Sequence, residues 1–175
     1  GHRSLFEYLY NKTREQPLDQ RGLEYCIRPA FTAIASRGWV DLFEQLYSKH
    51  PQCLEIAACL KEAAAHGRIN ILNHLLFQNA DLANKARPHL FGAFETAVGG
   101  GNIDAINLLL GNDEGGNPIF PNLCLTHPSK YILNKVGASG RWDGIEYLMR
   151  LKSEGDVRFV EFNLAGDASE GVKKA

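Results

Sequence analysis

The sequence predicts an all-α chain, a solenoid of helix-turn-helix repeats joined by irregular loops, and three observations carry that expectation. A glycine recurs at Gly1, Gly38, Gly67, Gly101 and Gly140, with spacings of 37, 29, 34 and 39 residues. Self-similarity at such a period marks a repeat architecture, in which each unit buries its apolar face against the next. After each glycine the apolar residues follow helical spacing, and before it lies a second stretch of small and apolar residues. A turn with a helix on either side is the simplest unit with that pattern.

The elements follow in order along one unit. The stretches opened by the glycines read GHRSLFEYLY, GWVDLFEQLY, GRINILNHLL, GNIDAINLLL and GRWDGIEYLM. Three residues after the glycine stand Ser4, Asp41, Asn70, Asp104 and Asp143, all of N-cap type, so the second helix is expected to start there. Glu7, Glu44, Asn73, Asn107 and Glu146 follow three residues later; Ser4 with Glu7 has the capping-box spacing, and the two Asp-x-x-Glu pairs approximate it. The inner face of this helix is then Phe6, Phe43, Leu72, Ile106 and Ile145, followed one turn on by Leu9, Leu46, Leu75, Leu109 and Leu148. Upstream of the glycine, Phe31, Leu60, Phe94 and Leu133 lead to Ile34, Ala63, Ala97 and Val136, then to Ala35, Ala64, Val98 and Gly137. These predict a first, shorter helix of close-packing residues, which the glycine ends in a left-handed conformation. Polar connectors with Pro, Asn, Asp and Gly join the units at 50–52, 79–89 and 111–122.

The chain therefore divides as one repeat domain over 1–175: a partial unit at 1–22, units at 23–52, 53–89, 90–128 and 129–160, and a tail or further partial unit at 161–175. SLFEYLYNK at 4–12 matches DLFEQLYSK at 41–49 at six of nine positions, so the chain is expected to open at the second helix of a unit. Leu164, Ala168 and Gly171 repeat the first-helix spacing, while VRFVEFN at 157–163 also reads as an extended segment. With no methionine at position 1, the sequence is expected to be a piece of a longer chain.

The units resemble ankyrin repeats. The closest match, EAAAHGRINILNHLLFQNADLANKA from Glu62 to Ala86, has the Ala63-Ala64-His66-Gly67 turn, the Leu75-Leu76 helix end and Asn79-Ala80-Asp81-Leu82 in place of the family's hairpin loop. Gly155-Asp156-Val157 and Gly1-His2 echo other family positions. The Thr-Pro-Leu-His opening of the family's first helix is missing from every unit, so the array is a divergent one, and a tetratricopeptide array is the alternative fold. The resemblance implies a concave face lined by first helices and loop tips, where residues that differ between units contact a partner. On this chain those positions are Thr32, Arg37, Lys61, Glu62, His66, Glu95, Thr96, Asn134 and Lys135. The expected function is a non-catalytic protein-interaction module, or the targeting and recruitment segment of a larger enzyme or effector.

Composition bounds the alternatives. A net charge of −1 and a pI near 6.7 argue against nucleic acid or an anionic membrane as the main partner. Four cysteines without a Cys-x-x-Cys motif read as reduced thiols, and no apolar run is long enough to span a bilayer. The expectation is a monomeric protein of the cytoplasm, that of a host if the chain is a secreted effector, binding another protein and needing no cofactor or metal. His50, Cys53, Cys59 and His66 have zinc-ligand chemistry without a ligand rhythm, and Gly99-Gly100-Gly101 lacks the Lys-Ser/Thr of a phosphate loop and reads as a loosened turn. Trp142, in a column with Val40, Ile69 and Ile103, is expected to be packed, and Trp39 to be partly exposed. No nucleophile, base and oxyanion site can be assembled from the sequence, so no catalytic residue is expected.

Overall fold

The computed structural model describes residues 3, 4, 7, 10, 11, 20–111, 119 and 129–156. The fold is all-α, and among the described residues no strand occurs. The helices are α1 (Gln20–Arg37), α2 (Val40–Lys49), α3 (Ile56–Ala65), α4 (Ile69–Asn73), α5 (Ala80–Ala86), α6 (Leu90–Gly99), α7 (Ile103–Leu110), α8 (Lys130–Ser139) and α9 (Asp143–Ser153). Helix α4 runs on into a single π-type turn, His74–Gln78.

Helix α3 shows why these segments fold as they do. Its sequence IAACLKEAAA is rich in alanine, the best helix former, and Ile56, Cys59, Leu60, Ala63 and Ala64 recur at helical spacing to form one buried stripe. It ends at Gly67, whose φ of 61° is a left-handed conformation costly for any residue with a Cβ. The Arg68 N–H then donates to the Ala63 carbonyl at 2.7 Å and the Gly67 N–H to that of Ala64 at 3.3 Å. This is a Schellman motif, and the pairs Trp39–Ile34 with Gly38–Ala35, and Asn102–Ala97 with Gly101–Val98, repeat it. Gly140 ends α8 with φ 67° and one bond to the Val136 carbonyl. All four described turn glycines are thus left-handed, as the repeat predicts.

Helices α1, α3, α6 and α8 pack in a row, each against the next, and α2, α4, α7 and α9 lie beside them. Phe43, Leu72, Ile106 and Ile145, with Leu46, Leu75, Leu109 and Leu148, are buried in the core, as are Ile34, Ala63, Ala97 and Val136. Burying one large apolar side chain of this kind contributes roughly 1.5–3 kcal/mol. Phe6, Leu9 and the segments 112–118, 120–128 and 157–175 lie outside the described residues, and with them most of the expected 111–122 connector, most of the partial unit at 1–22 and the tail.

Four expectations are corrected. The second helices begin one or two residues earlier than the Asp/Asn column, behind Trp39, Arg68, Asn102 and Trp142, and none of these four makes a side-chain cap bond. The glycine turn is tight enough that Asp41, Asn70, Asp104 and Asp143 already lie in the first helical turn, where the carboxylates face the positive end of the helix dipole. The first helices are not systematically the shorter ones, since α1 has 18 residues against 10 in α2. The connector at 79–89 is helical: the Asn79 side chain accepts from the Asp81 and Leu82 N–H groups, and Leu82 and Ala86, one turn apart, are fully buried. Trp142, expected to be packed, is 51% exposed, whereas Trp39 is half-buried against the core and so partly exposed as expected. Val40, Ile69 and Ile103 are only half-buried in that column, and an indole is too large for a half-covered site.

The Gly99-Gly100-Gly101 run is likewise close-packed and not loose. A Cβ on Gly99 would sit 2.7 Å from Lys135 Cγ of α8, and one on Gly100 would sit 2.9 Å from the Ala65 carbonyl oxygen and 2.6 Å from Asn102 Nδ2. Only glycine lets the neighbouring units approach this far at both positions.

Candidate interaction surface

One side of the row α1, α3, α6 and α8 is core, and the other carries the positions that differ between units. Thr32 is half-buried with its hydroxyl donating to the Arg28 carbonyl, and Arg37 is exposed at the end of α1. Lys61 and His66 are exposed on α3; His66 Nε2 lies 3.4 Å from the half-buried Glu62 carboxylate, one turn back, and not on a backbone carbonyl. Glu95 is half-buried on α6, and Asn134 and Lys135 are exposed on α8. Eight of the nine expected residues therefore reach solvent on consecutive helices.

Thr96 does not. It is 3% exposed, and its hydroxyl donates to the Gly92 carbonyl at 2.6 Å. A threonine hydroxyl that satisfies itself on the preceding turn can be buried at little cost, so this position belongs to the packing of α6 and not to the surface.

At two of the turns the residue after the glycine ties its helix pair to the preceding one. Asn102 Nδ2 donates to the carbonyls of Ala64 and Ala65 at 3.0 and 2.6 Å, and Arg68 Nε donates to the Ser36 carbonyl at 2.8 Å. Each clamp supplies a donor to carbonyls at the end of the preceding first helix, so backbone positions of that helix are fixed by side chains of the next turn. The sequence shows these residues as one polar column; their reach into the neighbouring unit depends on packing it does not display.

Two residues on this face have no place among the sequence candidates. Phe91 on α6 is 46% exposed and Tyr131 on α8 is 47% exposed. The available signal is a break in two columns, aromatic residues standing where α3 has Ala57 and Ala58.

Elsewhere the surface has small hollows: one lined by Leu42, Gln45 and Lys49 on α2, one by Ile103, Asp143, Glu146, Tyr147 and Arg150, and one by Phe77, Arg87 and Leu90. In the second, the Arg150 guanidinium stacks on the Tyr147 ring at 4.8 Å, and the Tyr147 hydroxyl donates to Asn107. Among the described residues, no group of three or more His, Cys, Asp or Glu is placed to hold a metal ion. Cys59 is fully buried in α3 and burial pushes its thiol up to about 12, while Cys53 is buried and raised for the same reason and Cys26 is exposed. His74 is buried against the Phe43 ring, its Nδ1 2.7 Å from Gln78 Oε1 and 3.4 Å from Glu44 Oε1. Arg3 holds the Asp41 carboxyl below its ordinary range. No helix among the described residues is long and apolar enough to cross a membrane.

No family model matches the chain, and neither the curated proteins nor the solved structures contain a match to it.

Proposed function

We propose that the chain is a divergent ankyrin-like solenoid that acts as a non-catalytic protein-interaction module, presenting the solvent side of α1, α3, α6 and α8 to a partner protein. One observation carries the reading. Along these four helices the buried columns keep their chemistry from unit to unit, whereas the exposed columns change in charge, size and polarity: Arg37 and His66 precede turn glycines, and Lys61, Glu95 and Asn134 share one position. A constant framework under a variable surface is what an array that reads one partner requires. In this reading the chain works as a monomer without a cofactor, and function resides in the surface and not in the fold.

The test is capture of a partner by the wild-type chain and by a Lys61→Ala, Glu62→Ala, His66→Ala variant. The three side chains are exposed or half-buried, so the variant is expected to melt as the wild type does and to lose capture. Undiminished capture at unchanged stability contradicts the assignment of this face.

A further inference from the structure

We infer that the α6 and α8 end of this face receives an acidic peptide segment carrying an aromatic or leucine side chain, an inference that rests on the interaction-module reading. Aligned on their turn glycines, Phe91 and Lys130 occupy the same position of two helices that pack on each other, and so do Gly92 and Tyr131. Phe91 and Tyr131, each about half-exposed, thus stand one repeat position apart, near the N-terminal ends of two helices that pack on each other. From the other side, Lys61 of α3 lays its stem across α6: a Cβ on Gly92 would be 2.7 Å from Lys61 Cε and 3.5 Å from its Nζ. Lys135 crosses α6 one helix end further on, with its Cγ against Gly99. The Lys61 ammonium thus lies beside Phe91 at one end of α6, Lys135 packs at the other end, and Lys130 precedes Tyr131 on α8, so three lysines share this part of the face with the two exposed rings.

None of these three lysines has a carboxylate among the described residues within ion-pair distance, whereas Asp81, Glu154 and Asp41 are each paired with a cation. The local charge is opposite in sign to the net −1 of the chain. Two stems already rest in glycine gaps, so less rotamer freedom is lost when their ammonium groups meet carboxylates. The rings supply the desolvated anchor of a binding site, and the surrounding lysines supply orientation and steering. Glu95, half-buried on the same helix, opposes a continuous phosphate backbone and leaves a peptide of mixed but acidic character as the better fit.

A random peptide display library selected on the wild-type chain tests this, with each enriched peptide then titrated against Lys61→Glu/Lys135→Glu and Phe91→Ser variants and competed with single-stranded DNA. Acidic peptides with at least one aromatic or leucine residue are expected, weakening as salt rises and losing roughly tenfold or more in either variant. The charge-reversed variant should instead enrich basic peptides. If glutamate disturbs folding, Lys61→Gln/Lys135→Gln keeps the stems and is expected to show a smaller loss in the same direction. Enrichment of neutral or basic peptides that still need Arg37, His66 or Asn134 overturns the acidic preference and leaves the module reading intact. Peptides whose binding survives every substitution on α1, α3, α6 and α8 overturn both, and DNA binding in place of peptide binding overturns the proposal.

Discussion

The junctions within α1 to α7 and the junction to α8 and α9 solve the same packing problem differently. In the first group a side chain from each turn reaches back, Arg68 to Ser36 and Asn102 to Ala64 and Ala65, and each turn closes as a Schellman motif. At the last turn Arg141 stays within its own unit, its N–H donating to Ser139 Oγ and its guanidinium 4.0 Å from Asp143, and a single bond from Gly140 closes α8. Contact there is made by backbone: a Cβ on Gly144 would lie 2.2 Å from the Val98 carbonyl oxygen. The column holding Gly144 reads Leu42, Ile71, Ala105 and Gly144, all buried, and the glycine is where second helix meets backbone directly. The row of helices thus contains two kinds of joint, a side-chain clamp and a glycine contact.

The largest effect is expected where the backbone itself is the contact. Gly144→Ala forces α9 off α6 and should cost about 3 kcal/mol in urea unfolding. Gly137, also on the last unit, faces open space, with nothing within 4 Å of where a methyl would stand, so Gly137→Ala should be neutral or stabilise by roughly 0.5–1 kcal/mol. Equal effects of the two substitutions would erase the distinction between a contact glycine and a free one. Next, Asn102→Ala strands the Ala65 carbonyl of α3, that of Ala64 keeping its bond from the Gly67 N–H, and is expected to lose about 1–3 kcal/mol, whereas Arg141→Ala, at the same position after the last turn glycine, should stay within about 0.5 kcal/mol. Similar losses at both would show that the clamp column acts alike in every unit.

Thiol chemistry sharpens the picture of the clamped part. Cys59 sits between the clamps with its thiol pushed up to about 12, so below that pH it is protonated as well as buried. Residue-resolved mass spectrometry at pH 8 should find Cys26 alkylated quickly and Cys59 alkylated only at the rate of unfolding. Because the shift is upward, raising the pH toward 10 should still leave Cys59 slow.

Much of the framework is legible in the sequence because burial imposes helical spacing: once the chain is aligned on Gly38, Gly67, Gly101 and Gly140, the columns of Ile34 and Phe43 are the core columns. The helix starts are not, because Asp and Asn also favour the first turn, and only the tightness of the glycine turn decides between cap and first turn. Helix α5 reads as a loop in sequence because Asn79 and Asp81 are turn formers as well as helix starters, and the burial of Leu82 and Ala86 that decides the matter is a tertiary fact. The surface is legible to the level of columns. Thr96 departs from its column because a hydroxyl can satisfy itself on its own helix, and Phe91 and Tyr131 escape notice because a single aromatic in a column with alanine looks like core from sequence alone.

The claim that the first helices form the recognition face over a constant framework is tested most directly by hydrogen-deuterium exchange of the chain with and without a captured partner. Added protection should fall on α1, α3, α6 and α8, and exchange in α2, α4, α7 and α9 should stay as in the free chain. Protection centred on the second helices, with the α3 and α6 amides unchanged, would contradict it.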